Sequence, residues 1–110
     1  MTGVAMREYN PARGDVLISL LEYEFIMRPS FHAIALLEEH FKRGIIDIAR
    51  DYHNSKISHA GDFVAIVQAG LKGAAQDVPA DLPDRIIGTG LTQIIEPCGK
   101  FLAHACGIKC

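Results

Sequence analysis

Residues 15–28 have the sequence DVLISLLEYEFIMR, in which apolar side chains recur at every second position of two short runs. A period of two, with aromatic and branched residues, is typical of β-strands that bury one face. The side chains that would share that face are Val16, Ile18 and Leu20 in the first strand and Tyr23, Phe25 and Met27 in the second. The turn would fall near residues 21–22, so we predict a β-hairpin over residues 15–28.

The hairpin also has a second set of apolar side chains, Leu17, Leu21 and Ile26. An isolated two-stranded hairpin is only marginally stable in water, so we expect it to pack on helices or on other strands. An exposed strand edge also favours pairing with another chain. We therefore expect the second face to be partly covered, and it is a candidate partner interface.

Signals for helices follow the hairpin. Pro29 closes the second strand, and Ser30 is suited to cap the N-terminus of a first helix. Apolar residues then recur at helical spacing through most of the chain, and Pro97 is expected to break or kink the last long helix. The helices that this pattern predicts span residues 31–43, 45–52, 60–75, 82–96 and 98–106.

Several single residues mark the predicted helix ends and buried faces. Gly44 is expected to stop the first helix, and Ser58 and Asp81 are candidate N-caps of later ones. The apolar stripe of the first helix would bury Phe31, and that of the fourth would bury Ile87. These residues predict where the helices begin and end and which side of each faces the core.

The order of the elements, one antiparallel hairpin followed by three to five helices, predicts an α+β fold and not a βαβ fold. The chain has 110 residues, of which 49% are hydrophobic, enough for one small domain with its own core. We place that domain at residues 15–110. Residues 1–14 have no long apolar run and are interrupted by Pro11, so we predict a flexible N-terminal tail there.

Composition and charge argue against several classes of function. The formal net charge is −2, with acidic and basic residues well mixed, so no basic stripe is available for nucleic acid. No apolar run approaches the ~20 residues that a membrane-spanning helix needs. The three cysteines, all beyond residue 97, do not form a disulfide framework, which favours the reducing cytoplasm. We expect a cytoplasmic protein that binds neither nucleic acid nor membrane.

The C-terminal segment contains the residues that could suggest a metal site: Cys98, His104, Cys106 and Cys110. Structural zinc sites usually contain paired ligands at short fixed spacing, such as C-x2-C. This chain has C-x7-C-x3-C with one histidine, which is better explained by small semi-buried side chains and an exposed terminal thiol. We expect no metal and no cofactor; a small metal-binding or regulatory protein stays open as an alternative.

Acid–base chemistry has few candidates in this sequence. His53 and His59 flank a polar loop near Asp51 and Asp62, and Asp47 lies one helical turn before Asp51. Loop histidines are usually solvated, and two carboxylates one turn apart usually lie on a wet helix face. The sequence contains no nucleophile elbow and no P-loop motif. We therefore expect no catalytic residues and no enzyme activity.

The best candidates for function are apolar residues that a partner could reach. The second hairpin face supplies one group, and the segment around the expected break at Pro97 supplies another. A short broken helix can complete its own core, or it can offer a hook to another chain. The residues that we single out as a protein interface are Leu17, Leu21, Ile26, Ile94, Ile95, Phe101 and Leu102.

Three stretches in a fixed order resemble a known phage family. They are NPARGDVLI at residues 10–18, RPSFHAIALLEE at residues 28–39 and GDFVAIVQAGL at residues 61–71. In that order they are similar to the tail assembly chaperones of gene transfer agents and related prophages, a group also described as tail tube-like proteins. The resemblance covers roughly residues 10–75, whereas the proline and the cysteines of the C-terminal segment depart from the family pattern.

The resemblance implies a cytoplasmic chaperone of the bacterial host cell that is made alongside the tail genes. Its partner would be the tape measure protein, kept soluble until tail tube subunits assemble around it. The tail tube protein and a second copy of the chain are further candidate partners. A different class, a structural tail tube or connector subunit of a phage-like particle, stays open as the alternative. That alternative predicts self-assembly through the hairpin edges, whereas the chaperone predicts a monomer or a small oligomer.

Overall fold

The computed structural model describes residues 9–107 and has an α+β fold. A hairpin comes first and five helices follow in one small domain, which confirms the predicted order. The elements are β1 (Val16–Leu20), β2 (Tyr23–Met27), α1 (Phe31–Phe41), α2 (Ile45–His53), α3 (Ala60–Gly73), α4 (Leu82–Thr89) and α5 (Leu91–Ala105), with a short 3-10 turn at Pro11–Arg13 before β1. Within residues 9–107, no helix combines the length and the apolar character needed to cross a membrane.

The two strands of the hairpin pair antiparallel, with Leu20 opposite Tyr23 at the turn and Val16 opposite Met27 at the open end. The face predicted to point inward carries the buried residues Val16, Ile18, Leu20 and Met27. Tyr23, on the same face at the tip, is exposed. The open end of the hairpin therefore lies in the core, whereas Tyr23 at the tip lies at the surface.

α3 is the helix on which most of the other elements pack. It contacts β2, α1, α4 and α5. Its buried side chains form one apolar stripe: Phe63, Ile66, Val67, Ala69 and Leu71. Because burial of each large apolar side chain contributes about 1.5–3 kcal/mol, this stripe is a large favourable term in the folding free energy.

Two glycines let α3 lie close to the hairpin. A Cβ at Gly70 would come within 2.6 Å of the Met27 Cβ. A Cβ at Gly73 would come within 2.8 Å of the Ala33 Cβ, and closer still to the Arg28 carbonyl oxygen. The Arg28 N–H donates to the Gly70 carbonyl at 3.0 Å, which joins the strand to the helix directly. No side chain fits between α3 and the end of β2.

A buried ion pair holds the open end of the hairpin. The side chain of Asp15 is fully buried and accepts from Nε and Nη2 of Arg28, both at 2.8 Å. The Asn10 N–H donates to Asp15 Oδ2 at 2.9 Å. The two hydrogen bonds from the Arg28 guanidinium and the third from the Asn10 N–H satisfy the Asp15 carboxylate, because a buried charge needs such partners. The pair therefore links the entry and the exit of the hairpin to the 3-10 turn.

The described part of the predicted tail, residues 9–14, belongs to the domain. Asn10 is bonded to Asp15, and Tyr9 packs on the second face of the hairpin. Residues 9–14 therefore pack on the domain that we predicted to begin at residue 15, because the buried carboxylate and the apolar face both need cover. Its remainder, residues 1–8, lies outside the part of the chain that the structure describes.

The last long helical stretch breaks at Gly90 and not at Pro97. Gly90 has φ of +103°, a conformation that favours glycine, and it separates α4 from α5. α5 then runs through Pro97 without interruption. The predicted helices 82–96 and 98–106 are therefore wrong in their boundaries, although both regions are helical.

Burial explains why Pro97 stays inside a helix. Fully buried residues recur along α5 at helical spacing: Ile94, Cys98, Phe101 and Leu102. Each large side chain contributes about 1.5–3 kcal/mol when buried. An interior proline costs about 3 kcal/mol through a lost hydrogen bond and a steric clash. A break at this point would expose the stripe, so the continuous helix is favoured.

Two of the three predicted helix caps differ from the structure. Ser30 caps α1 as predicted, since its Oγ accepts from the Ala33 N–H at 3.2 Å. Ser58 lies outside α3, which begins two residues later. Asp81 flanks α4 but makes no capping bond, because its carboxylate accepts from Arg85 instead. Ion pairing competes here with capping of the helix N-terminus.

Two residues predicted to be buried are exposed. Phe31, the first residue of α1, is 85% exposed, and Ile87 is 58% exposed because α4 turns Ile86 inward instead. The predicted stop at Gly44 also moves, since Lys42 ends α1 with φ of +58° and Gly44 precedes α2. The predicted periodicities were correct and most of the predicted inward residues are buried, but the core does not reach Phe31 and Ile87.

We predict that Pro97→Ala stabilises the protein by about 1–3 kcal/mol, because it restores the N–H that α5 lacks at this position. The free energy of unfolding from urea denaturation, followed by circular dichroism, measures the change. Lys100→Ala, one helical turn further on, is the control and should change stability by less than about 0.5 kcal/mol. A loss of stability in Pro97→Ala would mean that packing of the ring outweighs the missing bond.

We predict that Gly73→Ala destabilises the protein by about 1–3 kcal/mol or more, because the added methyl group collides with backbone and side chain at the end of β2. Gly61→Ala is the matched control in the same helix, since a Cβ there meets nothing within 4 Å. That control should gain up to about 1 kcal/mol. Equal stabilities of the two variants in urea would contradict the close approach of α3 to the hairpin.

Candidate interaction surfaces

Four of the seven predicted interface residues lie in the core. Ile26 is 1% exposed, and Ile94, Phe101 and Leu102 are 0% exposed. Their assignment to a partner surface is wrong for this structure, because α5 is continuous and turns its apolar stripe inward. Ile26 is covered by the segment after α3, where Ala74 packs against it.

The other three predicted residues divide between two places. Leu17 is half-buried, packed beside Tyr9 on the second hairpin face. Leu21 is 53% exposed at the hairpin turn, and Ile95 is 46% exposed on α5. The accessible candidates are therefore the tip of the hairpin and a groove beside α5.

The outer edge of β2 is bonded within the chain. The Ile26 N–H donates to Gln76 Oε1 at 2.7 Å, and the Arg28 N–H donates to the Gly70 carbonyl at 3.0 Å. A strand added at this edge would need those two donors. The expectation that the hairpin offers an open edge is therefore not met along this part of β2.

Leu21 has an unusual backbone conformation. It is the first central residue of the two-residue turn and has φ of +60°, whereas Glu22 after it does not have a positive φ. This is the pattern of a type II′ turn, in which glycine is preferred at the first central position. α4 supports the turn, since Thr89 Oγ1 accepts from the Leu21 N–H at 2.7 Å and the Leu21 side chain lies beside Gly88.

Another exposed apolar side chain, Tyr23, lies near Leu21. It is 51% exposed, and the Arg85 guanidinium carbon lies 5.3 Å from the centroid of its ring. Ile87 is also 58% exposed, but α4 turns Arg85, Gly88 and Thr89 toward the hairpin, so Ile87 lies on a different side of the helix. We call Leu21 and Tyr23 the hairpin-tip surface.

Carboxylates surround the hairpin-tip surface. Glu22 is exposed in the turn and Asp84 is exposed on α4, and neither carboxylate forms an ion pair or hydrogen bond with another residue between 9 and 107. Asp81 accepts from Arg85 Nε at 2.8 Å, and this hydrogen bond lowers the pKa of the Asp81 carboxyl. The surface therefore has an apolar centre and an acidic rim.

An apolar groove lies beside Ile95. It has a volume of about 300 Å3 and is lined mainly by Tyr52, Ile57, Phe63, Leu91 and Ile95. The Tyr52 hydroxyl donates to the Ile95 carbonyl at 2.6 Å. Burial, with a smaller contribution from Cys98, raises the pKa of the Tyr52 hydroxyl, so this group stays protonated and can donate this hydrogen bond to a higher pH than an ordinary tyrosine.

A second cavity, of about 410 Å3, lies between α5 and the start of β1, with Leu17, Pro97 and His104 in its lining. His104 Nδ1 lies 2.9 Å from the Gly14 carbonyl oxygen. Because a carbonyl can only accept, Nδ1 carries the proton. His104 therefore links α5 to the turn before β1, and its Nδ1 is already used in this hydrogen bond.

The cysteines that suggested a metal site occupy protected positions. Cys98 is buried, and Cys106 is half-buried with its Sγ 3.7 Å from the Ile45 carbonyl oxygen. Burial raises the pKa of the Cys98 thiol to about 12 and also raises the pKa of the Cys106 thiol. Among residues 9–107, no three His, Cys, Asp or Glu side chains are arranged to hold a metal ion. Cys110 lies outside the described residues.

Most of the candidate acid–base residues lie in ordinary surface contacts between basic and acidic side chains. His40 Nε2 lies 3.1 Å from Asp62 Oδ1, and His59 Nδ1 lies 3.9 Å from Asp62 Oδ2. Asp51 pairs with Arg43. Partly exposed pairs of this kind contribute little to stability and link neighbouring helix ends.

Sequence reasoning missed Tyr23 and Ile87 as surface residues. Periodicity assigned both to buried faces, because it cannot tell where a buried stripe reaches the end of the core. The turn did contain a signal: residues 21–22 are Leu-Glu, where a two-residue hairpin turn usually has glycine or asparagine. A large apolar residue at such a position indicates that its side chain has a use of its own.

Comparison with known proteins gives no match: no protein-family model, no curated protein and no solved structure is similar to this chain. The surfaces described above and the ordered resemblance of the three sequence stretches are therefore the grounds for a functional hypothesis.

We predict that iodoacetamide at pH 8 does not modify Cys98 in the folded protein, because the thiolate is the reactive form and burial keeps this thiol protonated. Peptide mapping by mass spectrometry after timed labelling gives the rate at each cysteine. Cys106, which is half-buried, serves as the internal control and should react faster. Equal rates at the two residues before denaturation would contradict the burial of Cys98.

Proposed function

We propose that this protein is a phage or prophage tail assembly chaperone, which binds the tape measure protein in the cytoplasm of the bacterial host and assists tail assembly. The observation that carries the proposal is the exposed Leu21 at the centre of the hairpin-tip surface. The ordered resemblance over roughly residues 10–75 points to the same class. The tail tube protein is a second candidate partner in the same assembly.

The backbone of Leu21 supports a role for its side chain. A left-handed conformation costs a residue with a Cβ roughly 1–2 kcal/mol, and glycine would avoid this cost. An exposed leucine gains little of this back through burial, since half of its surface stays in water. Strained residues of this kind are concentrated at binding sites, where the side chain is needed.

The chemistry of the hairpin-tip surface suits the proposed partner. A tape measure protein is a long helical chain whose apolar stripe would aggregate if it stayed exposed. Two neighbouring apolar side chains, 53% and 51% exposed, offer such a stripe a place to bind. The surface is small, so binding would be reversible, as release to the assembling tail tube requires.

The structural-subunit alternative has less support. A tail tube or connector subunit that assembles through its hairpin needs free strand edges. The β2 edge already donates to Gln76 and Gly70 of the same chain. Self-assembly through this part of β2 would have to replace those bonds. A metal-binding role also has less support, because Cys98 is buried and His104 Nδ1 is bonded to Gly14.

We predict that Leu21→Gly separates stability from function. The variant should unfold at an equal or higher urea concentration, with a gain of up to about 1 kcal/mol, because glycine relieves the backbone strain. Co-expressed with the long helical protein encoded just downstream, it should keep at least tenfold less of that protein in the soluble fraction and in a pull-down.

The matched control is Ile46→Ala, which removes an apolar side chain that is 63% exposed on α2, away from the hairpin tip. It should leave capture unchanged. Full capture of the long protein by a folded Leu21→Gly variant would contradict the proposed binding role of the hairpin tip. Tubes or rings formed by the wild-type chain alone, with no capture of the long protein, would favour the structural subunit.

A further inference from the structure

The charged residues around the hairpin-tip surface are mostly acidic. The charged residues of the turn, of the start of β2 and of α4 with its N-cap are four carboxylates and one guanidinium: Glu22, Glu24, Asp81, Asp84 and Arg85. The single cation is already engaged, since Arg85 donates to Asp81 and lies over the ring of Tyr23. An apolar centre with unpaired carboxylates on its rim complements a partner that carries cations beside apolar side chains.

The backbone of the hairpin tip indicates a helical partner. The Leu21 N–H donates to Thr89 Oγ1, and the Ile26 N–H donates to Gln76 Oε1. A partner strand would have to replace the bond at Ile26 in order to pair with this part of the β2 edge, and the turn at residues 21–22 offers no strand edge. A helix satisfies its own backbone groups, so it needs only side-chain contacts from this surface.

We propose that the hairpin-tip surface docks an amphipathic helix with lysine or arginine residues on both sides of its apolar stripe. The apolar stripe would cover Leu21 and Tyr23, and the cations would lie near Glu22 and Asp84. This inference rests on the proposed function and specifies which part of the partner is held: a basic amphipathic helical segment of the long protein. Charge then selects among apolar helices that the side chains of the centre alone would not distinguish.

Two designed peptides test the inference directly. Both form helices with the same leucine stripe, and they differ only in the flanking residues, lysine in one and glutamate in the other. Fluorescence anisotropy with labelled peptides and the full chain at low salt should give at least tenfold tighter binding of the lysine peptide. The difference should shrink strongly at high salt, because screening weakens contacts between exposed charges.

A double charge reversal, Glu22→Lys with Asp84→Lys, should invert the preference between the two peptides. The matched control is Glu39→Lys with Asp47→Lys, which changes the net charge equally at exposed positions on α1 and α2. That control should leave the lysine peptide preferred. Circular dichroism checks that the charge-reversed variant folds. If it does not fold, Glu22→Gln with Asp84→Asn takes its place. This neutral variant should at least halve the preference for the lysine peptide.

The outcomes separate this inference from the proposed function. Equal binding of both peptides, or an equal effect of the two charge reversals, would overturn the inference. If the wild type solubilises the tape measure protein while reversal at Glu22 and Asp84 has no effect, the chaperone proposal stands and the basic helix is wrong. If the lysine peptide is preferred but the tape measure protein is not captured, the surface is assigned correctly and the partner protein is a different one.

Discussion

The fold depends on how closely α3 approaches the end of β2. Gly70 and Gly73 leave no space for a side chain between the helix and the strand, and the Arg28 N–H bonds to the Gly70 carbonyl. A two-stranded hairpin is marginal in water, so this contact supplies support that the hairpin lacks alone. The remaining helices pack around α3, which makes the contact the point from which the core is built.

The hairpin tip is held from both ends by this arrangement. At the open end, the buried Asp15–Arg28 pair fixes where the strands begin and end. At the tip, α4 holds the turn through Thr89 and Gly88. A rigid scaffold on both sides allows a strained leucine to stay exposed, since relaxation of the turn would disturb contacts elsewhere.

The helix boundaries illustrate how local and tertiary forces compete. Pro97 has the stronger local preference against helix, yet α5 continues through it because four buried residues lie on its inner face. Gly90 has a weaker local signal, but it can adopt the positive φ that two helices meeting at an angle require. For the same reason, Ile94, Phe101 and Leu102, which were assigned to an interface around a break at Pro97, are buried.

The sequence by itself determined the class of fold, the hairpin with its turn at residues 21–22, the Ser30 cap and the existence of the helices, because these follow from local periodicity and side-chain chemistry. The three ordered stretches also suggested a functional class. Only the tertiary structure decided which apolar residues are reachable: it buried Ile26 and Phe101 and exposed Tyr23 and Ile87. Periodicity defines a helix or strand face, but the neighbours that cover it come from distant parts of the chain.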